Sequence, residues 1–171
     1  TVLYAEGGGQ VGDTGVISAD GFEFTVSNTT KNNNGIFLHK GVVSKGSVAV
    51  GDCCVSAVDA SRREAIKRNH TAAHLLQAAL RKVLGTHVEQ AGQLVNDSIV
   101  RFDFTHFSAL TKDELTAIEN EVNTVIFASL PVSSEEKTLA EAKAMGAMAL
   151  FGEKYGETVR VVDAAGYSLE L

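Results

Sequence analysis

What this sequence lacks narrows its class. No apolar run approaches the ~18 residues that a membrane-spanning helix needs, so its 171 residues hold no helical membrane anchor and no membrane partner is expected. Thr1-Val2-Leu3-Tyr4 carries no basic segment ahead of an apolar stretch. It reads as a processed or internal start and not as a signal peptide. Cysteine is confined to the adjacent pair Cys53 and Cys54. Neighbours on a strand point to opposite faces, so these two are badly placed to bond each other or to share a metal. They are expected as reduced, partly buried thiols in a reducing, cytoplasmic setting.

What is present is an ordinary globular balance, with 44% apolar and 21% charged residues. A formal net charge of −6 opposes nucleic-acid binding on average. Between Ser61 and Leu84, however, six basic residues (Arg62, Arg63, Lys67, Arg68, Arg81, Lys82) stand against the single acid Glu64. Such a stretch either attracts phosphate or forms a solvated helix face balanced by acids elsewhere.

The first 60 residues differ from the rest. They hold most of the glycines, and their apolar residues alternate in Phe22-Glu23-Phe24-Thr25-Val26, as on a half-buried strand. Lys31-Asn32-Asn33-Asn34-Gly35 is a turn signal, after which Ile36-Phe37-Leu38 resumes a strand. Val48 to Val58 reads as a further strand or strand pair. Residues 1–60 are therefore expected as a glycine-rich, small β-barrel-like module.

From residue 61 helices enter. Ser61-Arg62-Arg63-Glu64 fits a capping box, the run from Ala65 to Leu84 contains no Gly or Pro, and Gly85 suits a left-handed stop. Thr111 to Glu114 opens a second helix, ending before Pro131, with Leu115, Ile118, Val122, Val125 and Ile126 as one apolar stripe. Thr138 to Glu141 opens a third, stopping near Gly146. Strands are expected at 88–94, 99–104, 131–137, 158–162 and from Tyr167. Residues 61–171 thus form an α+β core in which helices pack on a mostly antiparallel sheet.

Three features carry chemistry. His70 and His74 lie four apart in the first helix, so both imidazoles share one face, a common way to offer two nitrogens to Zn2+. The alternative is two helix histidines that pack or hydrogen-bond. The pair is not a metalloprotease motif, because His70-Thr71-Ala72-Ala73-His74 lacks the general-base Glu. His39, His87 and His106 are further ligand candidates by residue type. Second, Glu6-Gly7-Gly8-Gly9-Gln10-Val11-Gly12-Asp13-Thr14-Gly15 exposes backbone N–H groups that suit phosphate or ribose, or else forms a tight structural hairpin. It is neither a P-loop nor a dinucleotide fingerprint. Third, Gln90 and Arg101 fall on strands after the histidine helix. An amide there suits a small polar substrate, and a guanidinium suits Asp103 or a phosphate.

Taken in order, these motifs resemble the alanyl-tRNA synthetases. The glycine-rich stretch from Tyr4 to Gly15 is similar to that family's motif, with Gly7 where Ser is usual. Arg68-Asn69-His70-Thr71-Ala72-Ala73-His74-Leu75-Leu76 resembles its first zinc half-site. The runs from His87 to Leu94, from Arg101 to His106, from Gly146 to Gly156 and from Val159 to Val162 follow in family order. The resemblance implies the family's editing domain, which hydrolyses tRNA(Ala) mischarged with Ser or Gly. It assigns Zn2+ to His70 and His74, with the amino-acid side chain contacted by Gln90 and Thr71. The acceptor end of tRNA(Ala) falls to Gly7, Gly8, Gly9, Gln10, Arg68 and Arg101. In the family, the run matching Ser168-Leu169-Glu170-Leu171 leads into a Cys and a His that complete the zinc site. The chain is thus expected to carry two of four ligands and to be truncated before the second half-site. Ala73 stands where the family usually has a Thr that helps select the amino acid. The other readings are a free-standing trans-editing deacylase or a tRNA-binding module inactive for want of a complete zinc site. The threonyl-tRNA synthetase editing domain ranks lower, since it lacks the glycine-rich hairpin. The rest of a synthetase chain, with its ATP site, is the expected partner.

Overall fold

A computed structural model describes residues 1–148 and 156–171. Within the Gly146–Gly156 motif, positions 149–155 lie outside the described residues. The chain divides into two compact units, one formed by residues 1–70 and 93–101, the other by residues 71–92 and 102–171. No helix among the described residues is long and apolar enough to cross a membrane.

In the first unit, β1 (Gly15–Ala19), β2 (Phe22–Lys31), β3 (Phe37–Lys45) and β4 (Val55–Val58) form an antiparallel sheet in the order β3-β2-β1-β4. Gly21, at φ 71°, turns β1 into β2. The expected alternation holds at the start of β2, where Phe22 and Val26 are buried. A register shift between Val26 and Asn28 then changes the parity, so Thr29 is the next fully buried side chain. Its hydroxyl donates to the Asp13 carbonyl (3.1 Å) and lies 3.2 Å from Nδ1 of His39, whose pKa burial lowers. No strand pairing closes the outer strands β3 and β4 into a barrel among the described residues.

Two expectations here are corrected. Of the stretch from Val48 to Val58, only the last four residues pair as a strand. Asp52 instead closes a turn, its carboxylate accepting from Ala49 N (2.8 Å) and its own N–H donating to the Ala49 carbonyl (3.2 Å). Cys53 and Cys54 follow that turn, before β4, and both are exposed.

Helix α1 (Ala60–Leu84) runs through both units. Its start is set by Asp59 and not by Ser61. The Asp59 carboxylate accepts from Arg62 N (3.0 Å) and its carbonyl from Arg63 N (2.9 Å), an N-cap two residues earlier than the expected box. Gly85 stops it as expected, at φ 116°. The pair β5 (Gln90–Val95) and β6 (Val100–Phe104) also contributes residues to each unit.

The second unit adds α2 (Lys112–Ala128), β7 (Val132–Thr138), α3 (Leu139–Ala144), β8 (Thr158–Ala164) and β9 (Leu169–Glu170), the last three strands forming an antiparallel sheet in the order β7-β8-β9. The capping boxes at Thr111–Glu114 and Thr138–Glu141 are both formed. One apolar cluster joins Ala79, Leu80, Val88 and Ile118, flanked by Phe102, Phe104 and Val122. Each fully buried Leu or Ile side chain contributes ~2 kcal/mol. The stripe on α2 is narrower than the sequence suggests, since Leu115 and Ile126 are about half exposed. A smaller cluster seats α3 on the sheet through Ala142, Val159 and Val161. The described architecture is mixed α+β with antiparallel sheets.

Candidate functional site

His70 and His74 stand just over one turn apart on α1, because four residues slightly exceed the 3.6 of a helical turn. Each ring is engaged at Nδ1 by an oxygen. Nδ1 of His70 lies 2.6 Å from Oε1 of Gln10, which is itself only 8% exposed.

Gln10 owes its place to the glycines before it. Gly7 and Gln10 exchange both backbone hydrogen bonds (3.1 and 2.9 Å) around Gly8 and Gly9, whose φ values of 57° and 78° suit glycine and not a branched side chain. This is the tight hairpin reading of the motif. Gly9 O accepts from Val95 N (2.8 Å), and Gln93 Nε2 donates to Gly8 O (2.7 Å). A Cβ on Gly9 would stand 2.5 Å from Gln93 Cγ, and one on Gly12 would stand 2.1 Å from the Thr29 carbonyl oxygen. The glycines thus permit close backbone approach within the unit.

Asp13, at the end of the motif, is 1% exposed. Its carboxylate accepts from Tyr4 N (2.6 Å), from Arg63 Nε (2.9 Å) and from Nη2 of the same Arg63. The carboxylate raises the pKa of that guanidinium.

In the second unit, Nδ1 of His74 meets Oε2 of Glu170 in a short contact. Glu170 is 7% exposed, and its other oxygen accepts from Ser168 Oγ at 2.9 Å. Thr71, His74, Leu75, Val162, Ser168 and Glu170 are among the residues around a cavity of about 30 Å³. Gln90 opens β5 half-buried and is not one of the residues lining that cavity. Ala73 is buried.

Arg68 on α1 and Arg101 on β6 are exposed. The basic stretch around Arg68 is largely committed to partners within the chain. Arg62 pairs with Asp97 (3.3 Å) and donates to the Gly12 carbonyl (2.9 Å), and Arg63 holds Asp13. Lys67 meets Glu64 (2.8 Å), Arg81 donates to the Val88 carbonyl (2.8 Å) and Lys82 meets Glu121 (2.6 Å). The Lys67 contact lowers the Glu64 pKa. Of the other histidines, His39 contacts Thr29, and His87 and His106 contact each other, Nε2 to Nδ1 at 2.9 Å.

Zinc ligation requires of each histidine a ring nitrogen with its lone pair available. A carboxylate or amide oxygen only accepts, so an imidazole that hydrogen-bonds to one through Nδ1 does so with its hydrogen on Nδ1. A ring that gives Nδ1–H to an oxygen keeps its lone pair on Nε2, the arrangement usual for ligating imidazoles. Among the described residues, no group of three or more His, Cys, Asp or Glu side chains is placed to hold a metal ion. Reading the sequence missed Glu170, Ser168 and the contact between Gln10 and His70. The separations of 96 and 60 residues leave no local signal, although the Ser-x-Glu run was visible as a motif.

Residues 1–62 match the family described as tRNA synthetases class II (A). The full length is 56% identical to a segment of the alanine–tRNA ligase of Exiguobacterium sibiricum, covering 19% of that protein. It is 54% identical to the ligase of Pseudoalteromonas translucida and 51% to that of Acetivibrio thermocellus, again over 100% of this chain. The chain is homologous along its whole length to one segment of the alanine–tRNA ligases and spans about a fifth of their length.

Proposed function

We propose that this segment supplies the editing activity of an alanine–tRNA ligase: metal-dependent hydrolysis of tRNA(Ala) mischarged with Ser or Gly. The observation that carries the reading is the pair His70 and His74 on one face of α1, each held at Nδ1 by an oxygen. Similarity to alanine–tRNA ligases over all of the chain supports it. So does a physical need. A synthetic site shaped for Ala cannot strongly reject the smaller Gly, or a Ser that adds only a hydroxyl, so a second, hydrolytic site is required.

In this reading His70 and His74 are two of the ligands of Zn2+. Bound there, the ion would polarise the aminoacyl ester or activate its attacking water. Gln90 and Thr71 contact the amino-acid side chain, with Ala73 taking the place of the family's usual Thr. The hairpin at Gly7, Gly8, Gly9 and Gln10, with Arg68 and Arg101, steadies the acceptor end of tRNA through its backbone. Functionally, residues 1–60 serve as the glycine-rich β module and residues 61–171 as the editing core. The remainder of a ligase chain is the partner, and the setting is the cytoplasm.

The experiment is Zn2+ binding by equilibrium dialysis, comparing an alanine–tRNA ligase that carries this sequence as its matching segment with its His70→Ala and His74→Ala variants. Stoichiometric binding that both substitutions abolish is expected. Binding indifferent to both would refute the assignment.

A further inference from the structure

Glu170 is a buried acid that neither packing nor the reading above requires as a ligand. Its backbone is fixed on two sides. It pairs with Val162 across β8 and β9, and the neighbouring Leu171 N–H donates to the Met148 carbonyl (3.1 Å). A carboxylate at 7% exposure is strongly disfavoured unless its oxygens are satisfied. Both are engaged, Oε1 by Ser168 Oγ at 2.9 Å and Oε2 by His74 Nδ1. An apolar side chain at this place would fill the space without that cost, so packing alone does not account for the acid.

We propose that Glu170, braced by Ser168, is a positioning residue that holds His74 in its Nδ1–H form and makes Nε2 the nitrogen His74 presents. The carboxylate has no hydrogen to give, so the shared hydrogen belongs to the ring. The Ser168 hydroxyl occupies the other oxygen and keeps the carboxylate from turning away. A neutral imidazole free in water favours the opposite form, with its hydrogen on Nε2. The fold therefore imposes the less common tautomer. Gln10 gives His70 an amide oxygen, whereas His74 receives a charged one, which makes the His74 Nε2 the stronger donor. What Nε2 then binds rests on the function proposed above, but the tautomer does not.

The test is long-range 1H–15N correlation of the His74 ring in the 15N-labelled chain at about pH 8.5, where an ordinary imidazole is neutral. The wild type is expected to show Nδ1 as the protonated nitrogen and Nε2 as the bare one. Glu170→Ala should move the hydrogen to Nε2, while Glu170→Gln, whose amide oxygen still accepts, should restore the wild-type pattern. A wild-type ring protonated at Nε2, or a folded Glu170→Ala that keeps Nδ1–H, overturns the proposal. Should Glu170→Ala not fold, Ser168→Ala decides. A rise in its Nε2–H population supports the brace, and an unchanged ratio overturns it. Zn2+ added to an alanine–tRNA ligase that carries this segment, wild type or Glu170→Ala, separates this from the proposed function. Binding should weaken by ~10–100-fold in Glu170→Ala. Absent zinc binding with the tautomer change intact would overturn the metal assignment and leave the positioning role standing.

Discussion

Replacing Asp13 with Asn tests what the glycine-rich motif is for. The substitution keeps the shape of the side chain, so it opens no cavity. It removes the charge from a group that is 1% exposed and accepts from Tyr4 N (2.6 Å) and from Arg63 Nε (2.9 Å). Breaking a buried ion pair at one partner costs about 3–5 kcal/mol, because the other charge is left uncompensated. Arg63 is 27% exposed at its side chain, so water recovers part of the loss, and the Val2 carbonyl (3.1 Å) keeps one of its hydrogens occupied. The expected cost is therefore about 2–4 kcal/mol. In a chain of this size that lowers Tm by roughly 4–16 °C. Urea denaturation followed by circular dichroism measures it directly. The double variant Asp13→Asn/Arg63→Met should lose less than the sum of the two single losses, by about 1–3 kcal/mol. A single-variant loss under about 0.5 kcal/mol, the ordinary range for surface changes, would refute the reasoning.

Other outcomes follow from the second unit. The Tyr167 phenol is pushed up to about 12 by burial, with the Glu121 charge adding to it, although its buried hydroxyl has no hydrogen bond of ordinary geometry among the described residues. Because its folded pKa exceeds the ordinary 10.0, stability should be unaffected below pH 10 and fall between about 10 and 12. Ultraviolet titration should show a late-ionising tyrosine that Tyr167→Phe removes. Thr111→Ala should cost the cap of α2 about 1 kcal/mol in urea denaturation at neutral pH. Glu114 is held below its ordinary 4.5 by the Thr111 N–H and hydroxyl, so that cap is present above pH 4.5 and is lost as pH falls through the lowered value. The difference between wild type and Thr111→Ala should accordingly shrink in acid. Gln77 buries Oε1 with no hydrogen-bond partner among the described residues, so Gln77→Leu should leave thermal stability unchanged or raise it by about 1 kcal/mol.

Local chemistry was legible in the sequence and long-range pairing was not. Thr111 and Thr138 were readable as caps because a capping box is complete within four residues. At α1 the same rule chose Ser61, but Asp59 offers a carboxylate in cap geometry two positions earlier, and a box pattern alone does not rank competing caps. Strand β1 went unread because Gly15-Val16-Ile17-Ser18-Ala19 is short and opens on a glycine. Its Gly15 lies so close to β4 that a Cβ would stand 2.1 Å from the Ala57 carbonyl oxygen. The stretch from Val48 to Val58 shows the reverse error, since its apolar residues look like a strand while Asp52 closes a turn through its middle. At the site, the helical spacing of His70 and His74 is a local property and was plain. Their oxygen partners Gln10 and Glu170 come from the two ends of the chain, and only the folded backbone brings them there.

The central claim is tested most directly by Ser-tRNA(Ala) hydrolysis, using an alanine–tRNA ligase that carries this sequence as its matching segment. The wild-type enzyme should release serine, and His74→Ala should fall to the rate of the uncatalysed ester while still charging tRNA with alanine. Serine release that survives His74→Ala at the wild-type rate would contradict the account.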